Sequence, residues 1–284
     1  MSLTHIHVPY DGPAIICDTL VWYKNLPEGF KDKNKLAATW LSVYELFKSS
    51  DRTVGVILNS WEKIRDNSIY IIPLSPEQHY HFYLHNREVL NPEIFEQQKE
   101  TLGRYNWIIE KKRKNELPDE QWQQFENEAR GIKTEYDSSV KDWIDVNIND
   151  FKISERSTYQ KEEDYRNMRS KKRAELTAPE GIQWHLHYIT MPLIISFLTN
   201  VAFKDIEEFD TDDFAQFELF THVFNQWLID LDIDNIKAEV NDLVDVFNMI
   251  YVRPIDKYWT EEKQWVKRIK KVGMEHYLFD PKNL

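Results

Sequence analysis

Cysteine and glycine are scarce in this chain, with one Cys and seven Gly in 284 residues. A single thiol, Cys17, excludes an intramolecular disulfide framework and fits a reducing compartment. So few glycines argue against repeated tight turns and against Gly-rich phosphate loops. Long apolar runs are also missing. The longest, around residues 191–203, is too short and too interrupted to cross a bilayer. The opening MSLTHIHVPYDG has neither a basic start nor an apolar stretch, so no signal peptide is expected and the expected location is the cytoplasm. Positive charge is in deficit, with 36 Lys and Arg against 48 Asp and Glu and a net charge of -12. Indiscriminate adhesion to nucleic acid is therefore disfavoured. A nuclease stays open, because active-site carboxylates enlarge the negative count and a local basic patch can still guide a polyanion.

What is present is burying power. Hydrophobic residues make up 42% and aromatics 14%, enough for one substantial core or two modest ones. Pro13 to Asp18 is a short, fully apolar run closed by a carboxylate, which suits a strand covered on both faces. The spacing of Ala37, Leu41 and Tyr44 predicts a helix over 36–49, with Asn34 as its cap. Residues 54–58 read as a strand or the opening of a helix, and 69–72 as a strand. From about Pro92 to Glu180 the chain is charged and rich in Glu, Lys, Gln and Trp at helical spacing. A more apolar helix follows over 183–203. After it come amphipathic helices over 214–231 and 236–251, a strand over 256–260, a helix over 261–272 and a last strand over 276–279. Helix and strand alternating with short joins is the pattern of parallel α/β units. The expected fold is an α/β core formed by residues 1–90 and 205–284, interrupted by a mostly helical insertion or cap over 91–204.

Four acidic positions stand out against this scaffold. Asp18 closes the first strand. Glu45 lies one turn beyond Leu41, and Asp245 lies near the apolar face of the 236–251 helix. Glu261 and Glu262 follow the strand that ends at Thr260. In an open parallel sheet ligands collect outside the carboxyl ends of strands, where Asp18 and the Glu261/Glu262 pair would lie. Carboxylates forced together repel unless a divalent cation neutralises them, and hard oxygen ligands select magnesium or manganese (Mg2+ or Mn2+) over zinc.

Ordered along the chain, these residues resemble the PIN-like nuclease domain of the PilT N-terminus type. The first motif is the apolar strand ending in Asp-Thr with a hydrophobic stretch, Ile15 to Tyr23. The second is a helical Glu before a Leu, Ser42 to Leu46. The third and fourth are a helical acid within Asn241 to Phe247 and a strand leading to Thr260, Glu261 and Glu262. The resemblance covers roughly residues 13–60 and 215–280. It implies a three-layer α/β/α sandwich around a mostly parallel sheet, Mg2+- or Mn2+-dependent phosphodiester cleavage, and RNA as the usual substrate. It assigns Asp18, Glu45, Asp245 and Glu262 as catalytic, metal-linked acids. Glu261 rivals Glu262, Asp242 rivals Asp245, and Asp256 and Asp242 are lesser candidates for orienting ligands. The sequence departs from the pattern in two places. Leu20 stands where a small polar residue is usual, and the fourth acid is Glu where Asp is commoner. A non-catalytic domain on the same fold, binding RNA or a protein, is the alternative, and an all-helical interaction protein is a third reading. A second copy of the chain or an inhibitor protein would be further partners, with no membrane involved.

Other patterns have blander readings. Asp230, Asp232 and Asp234 imitate the start of a calcium loop but lack its glycine and closing Glu. The His-x-His pairs at 5/7, 79/81 and 185/187 lack an evident third zinc ligand, and the last should diverge on a helix. The basic run from Lys267 to Lys271 reads as a phosphate contact or a solvated face. Trp40, Trp61, Trp107, Trp122 and Trp143 read as base-stacking platforms or, more commonly, core.

Overall fold

The computed structural model describes residues 12–24, 26, 30–47, 54–67, 69–84, 92–201, 211–234 and 236–281. Strand β1 (Ile15–Cys17) and helix α1 (Thr19–Tyr23) come first, followed by β2 (Leu36–Thr39), α2 (Trp40–Glu45), α3 (Val54–Asp66), β3 (Tyr70–Ile72) and α4 (Pro76–Leu84). The long helical stretch comprises α5 (Pro92–Arg113), α6 (Asp119–Ile144), α7 (Asp150–Ser157), α8 (Glu162–Thr177), α9 (Pro179–His185) and α10 (Met191–Val201). The chain closes with α11 (Glu218–Asp234), α12 (Val240–Phe247), β4 (Lys257–Trp259) and α13 (Lys263–Lys271). The fold is thus mostly helical around a small parallel sheet, as an α/β reading requires. Among the described residues, no helix is long and apolar enough to cross a membrane.

Four strands pair in the order β3-β2-β1-β4, every pairing parallel. Chain order runs outward from β1 through β2 to β3, and the chain then returns to add β4 on the other side of β1. Such a reversal opens a crevice at the carboxyl ends of β1 and β4. The strands are three or four residues long and almost wholly buried, which explains their uninterrupted apolar character.

Three expectations change. The helix expected over 36–49 begins only at Trp40; its first four residues are β2, in register with Ile15 to Cys17 on one side and Tyr70 to Ile72 on the other. Leu-Ala-Ala-Thr is buried on every side, so periodicity carried no information there and tertiary pairing overrode alanine's helix preference. The cap is Thr39, not Asn34. Thr39 Oγ1 accepts the Ser42 N–H at 3.0 Å and Ser42 Oγ accepts the Thr39 N–H at 2.9 Å, a closed capping box. Residues 54–58, open between strand and helix, start α3. The last strand, expected over 276–279, is a 3-10 turn over Glu275–Tyr277 and one bridge from Tyr258 to Leu278. The 48–49 and 202–203 ends of the expected helices, and His5 and His7, lie outside the described residues.

The helical stretch shares its core with the sheet-bearing part. Tyr44 and Phe47 of the α2 turn meet Tyr105 and Phe125 in edge contacts at 5.8 and 5.3 Å, and Phe197 of α10 meets Phe247 of α12 at 4.4 Å. Trp61 is sealed in this core, its Nε1 donating to Asn106 Oδ1 at 3.0 Å. Trp40, Trp122 and Trp143 are likewise buried, whereas Trp107 is exposed.

Asp256 proves structural. It sits at the amino end of β4, the end of the sheet remote from Asp18. There it accepts the Ala14 N–H at 2.8 Å and pairs with Arg253 Nε at 2.8 Å, with 1% of its side chain exposed. Every carboxylate oxygen is committed, so Asp256 does not serve as an orienting ligand. Removing one partner of a buried ion pair strands the other charge. Asp256→Ala is therefore expected to cost about 3–5 kcal/mol, measured as a lower urea-unfolding midpoint.

Candidate active site

Asp18 follows β1 directly and its backbone N–H still belongs to the sheet, donating to the Trp259 carbonyl at 2.9 Å. That bond carries the carboxylate to the β1/β4 crevice. The side chain is buried, and Oδ2 accepts from Thr260 Oγ1 at 2.8 Å across 242 residues of sequence. The Thr260 oxygen in turn accepts the Glu262 N–H at 3.1 Å, so one hydroxyl locks the end of β4, the start of α13 and the first acid together.

The remaining acids arrive from three other elements. Glu45 is the last residue of α2, and its Oε2 takes a short hydrogen bond from Thr19 Oγ1 at the start of α1. Asp245 lies on the half-buried side of α12, and its Oδ2 accepts from Trp265 Nε1 at 3.2 Å. Glu262 precedes α13 in extended backbone. Because side chains alternate along an extended segment, Thr260 and Glu262 share one side and Glu261 takes the other. Glu261 indeed turns away, accepting from Lys24 Nζ at 3.0 Å and from Trp259 Nε1 at 3.1 Å.

Asp18 and Asp245 both feel the charges of Glu45 and Glu262. Burial pushes Asp18 up to about 7, followed by the charge of Glu45; the Thr260 hydrogen bond pulls back and Glu262 adds a further push. Burial pushes Asp245 up to about 9, followed by Glu45, Asp18 and Glu262, with Trp265 opposing. The charge of Asp18 thus reaches Asp245, which ties this residue of α12 to the group. The hydroxyl of Tyr258 is buried beside this group, pushed up first by its own burial and then by all four acids, and has no hydrogen-bond partner among the described residues. Thr19, Trp265 and Tyr258 went unrecognised in the sequence. The signal available for Thr19 was the Asp-Thr pair itself; nothing local marked the other two.

Metal fit is a matter of chemistry and of spacing. The donors are hard carboxylate oxygens, and burial with neighbouring negative charge drives Asp18 and Asp245 toward protonation, which is the environment a divalent cation relieves. Among the described residues, however, no three His, Cys, Asp or Glu side chains are spaced to enclose an ion as they stand. Asp18, Glu45 and Asp245 are each held by a protein donor, Thr260, Thr19 and Trp265 respectively.

The other candidates fall to ordinary structural roles. Asp230, Asp232 and Asp234 lie on α11 rather than in a loop, and pair with Arg268 and Lys271, with Arg169 and Lys172, and with Arg173. His79 is a core histidine between Tyr83 and Tyr251, its ring centroid 4.7 Å from each, and burial pushes it down to about 3. His185 is buried and His187 exposed, diverging as helical spacing requires. The basic run divides: Arg268 and Lys271 hold Asp230, whereas Lys267 and Lys270 are exposed. Lys263, Lys267 and Lys270 line a groove of 780 Å³ together with Thr260 and the acids Glu261, Glu275 and Asp280. Comparison with family models, with curated proteins and with solved structures returns no match for this chain.

Both buried acids bind protons more tightly folded than unfolded, so the stability this contributes is fully present below about 4 and is lost as pH rises through about 7 and about 9. Without divalent cations, the melting temperature is expected to fall between pH 5 and pH 9. Asp245→Asn should flatten that slope and stabilise the chain at the alkaline end by on the order of 2 kcal/mol. A pH-independent melting temperature in the wild type would contradict the burial and crowding described here. Tyr258→Phe removes a sealed, partnerless hydroxyl and is expected to leave stability unchanged or raise it by about 1 kcal/mol, measured by chemical unfolding.

Proposed function

We propose that the chain is a metal-dependent nuclease of PIN-like architecture that hydrolyses phosphodiester bonds in RNA. Its parallel sheet would form the central layer of an α/β/α sandwich, and its helical stretch would border the substrate groove. The observation that carries this reading is the meeting of Asp18, Glu45, Asp245 and Glu262, drawn from four elements, at the carboxyl-end crevice where the strand order reverses. These four side chains would hold Mg2+ or Mn2+.

A cation bound there supplies a water of lowered pKa and neutralises charge gathering on the phosphoryl oxygens. The chain's own residues prepare for it. Asp18 and Asp245 would hold the cation as carboxylates, the form that its charge favours. Thr260 positions Asp18 and the backbone of Glu262 together, and Thr19 does the same for Glu45. Trp265 orients Asp245 from the first turn of α13. Lys263, Lys267 and Lys270 offer phosphate contacts along the groove that Thr260 also lines.

One observation favours the second reading, a non-catalytic PIN-like module that binds RNA or protein. All four acids accept hydrogen bonds from protein donors without an ion, Glu262 Oε2 from Gln264 Nε2 at 3.2 Å, and Leu20 brings no hydrogen-bonding group beside Asp18.

Calorimetric titration with Mn2+ separates the two readings. Saturable binding is expected in the wild type and is expected to vanish in Asp18→Asn. Cleavage of single-stranded RNA in Mn2+ should fall at least about a hundredfold in the same variant. Wild-type protein that takes up no Mn2+ yet binds the RNA would establish the module instead.

A further inference from the structure

Two single π-helical turns, Asp145–Asn149 and Leu186–Thr190, lie far apart in the chain yet both line one pocket. The first joins α6 to α7 without a break, and the second joins α9 to α10. π-helix accounts for well under 1% of residues in proteins and is concentrated at functional sites, because its wider turn displaces side chains a regular helix would align. The pocket has a volume of 250 Å³ and none of the four acids lines it. That size is just below the range of drug-sized sites and suits a one- or two-ring molecule.

Its lining divides into an apolar body and a polar end. Ile148 comes from one π turn, Ile189 from the other, and Leu193 and Leu228 complete the wall. At the rim, exposed Tyr188 stands with its ring 5.6 Å from that of exposed Trp184, a tilted pair suited to an aromatic guest. The polar lining consists of His185, Lys172, Asp232 and Asn147, whose Nδ2 is committed to the Trp143 carbonyl at 2.9 Å. Its charges cancel. Lys172 Nζ lies 2.7 Å from Glu155 and 2.8 Å from Asp232, and Asp232 also pairs with Arg169 at 2.8 Å. Two cations against two carboxylates leave nothing to attract an ionic ligand. Lys172 has three N–H donors, two of which these carboxylates occupy.

The tautomer of His185 follows from its neighbours. Asn225 Nδ2 donates to the Ile182 carbonyl at 3.5 Å, which makes Asn225 Oδ1 the acceptor facing Thr190 and His185. Oδ1 accepts from Thr190 Oγ1 at 2.7 Å and lies 2.7 Å from His185 Nδ1, so Nδ1 carries the proton. Burial favours the neutral ring. Nε2 is then an acceptor on a buried ring that lines the pocket, with no hydrogen bond among the described residues.

We propose that this pocket binds a small uncharged aromatic molecule bearing one hydroxyl, which donates to His185 Nε2 and accepts from Lys172 while the ring occupies the apolar body between the two π turns. The proposal stands apart from the nuclease reading, since it shares no residue with the acids.

Fluorescence titration of the full chain with 2-naphthol, and with its methyl ether 2-methoxynaphthalene, tests it. The expected result is saturable binding of 2-naphthol at one site per chain, with the ether about tenfold weaker because its oxygen cannot donate. His185→Phe should bring the two probes to equal affinity, and Leu193→Trp should abolish binding by filling the body. Ile189→Trp replaces Leu193→Trp if circular dichroism shows the latter unfolded. Absence of saturable 2-naphthol binding to folded wild-type protein overturns the proposal. Equal affinity for both probes in the wild type, or unchanged binding in a folded pocket-filling variant, overturns it as well.

Discussion

The parallel pairing of β1 with β4 joins segments near opposite ends of the chain, with Ile15 opposite Lys257 and Cys17 opposite Trp259. Closing so long a loop costs conformational entropy, although the cost grows only with the logarithm of loop length. What offsets it is the burial of the strands in an aromatic-rich core: Trp22, Tyr258 and Trp265 are fully sealed. Once the register is set, Asp18 and Thr260 are adjacent and the crevice follows. At the opposite end of the same pair, Asp256 clamps Ala14 and Arg253. One ladder thus has a structural carboxylate at its amino end and a chemically poised one at its carboxyl end.

That poise has a thermodynamic cost. Burying Asp18 and Asp245 near the charges of Glu45 and Glu262 favours their protonated forms, so the chain gives up stability at neutral and alkaline pH. Hydrogen bonds from Thr260, Thr19 and Trp265 soften the penalty. Those same donors would also compete with an ion, so the balance between protein donors and cation is the physical quantity on which the proposed nuclease reading depends.

The helical stretch is more than a cover. It shares the aromatic core of the sheet-bearing part, and it contains both π turns with the pocket between them. Regular helices would align their side chains into continuous packing ridges; the wider turns break that alignment and leave a cavity whose polar end is internally neutralised.

Much of the scaffold was legible locally. Ile15 to Cys17, Tyr70 to Ile72 and Lys257 to Trp259 declared themselves as short β-rich runs, and the charged middle declared itself as helix. Leu36 to Thr39 did not, because its alanines extend the periodicity of α2 and only pairing on both sides makes it a strand. The acids were legible because each sits at or near an element end, whereas Trp265 and Tyr258 were not, since their nearness to those acids is purely tertiary. Sequence by itself determined that the chain buries a large aromatic core, that the first apolar strand is closed by Asp18, and that Glu261 and Glu262 follow Thr260. Tertiary structure alone decided that Glu262 rather than Glu261 faces Asp18, and that Asp256 is structural. Adjacent side chains on extended backbone point to opposite sides, and only the register of β4 against β1 selects which side is the crevice.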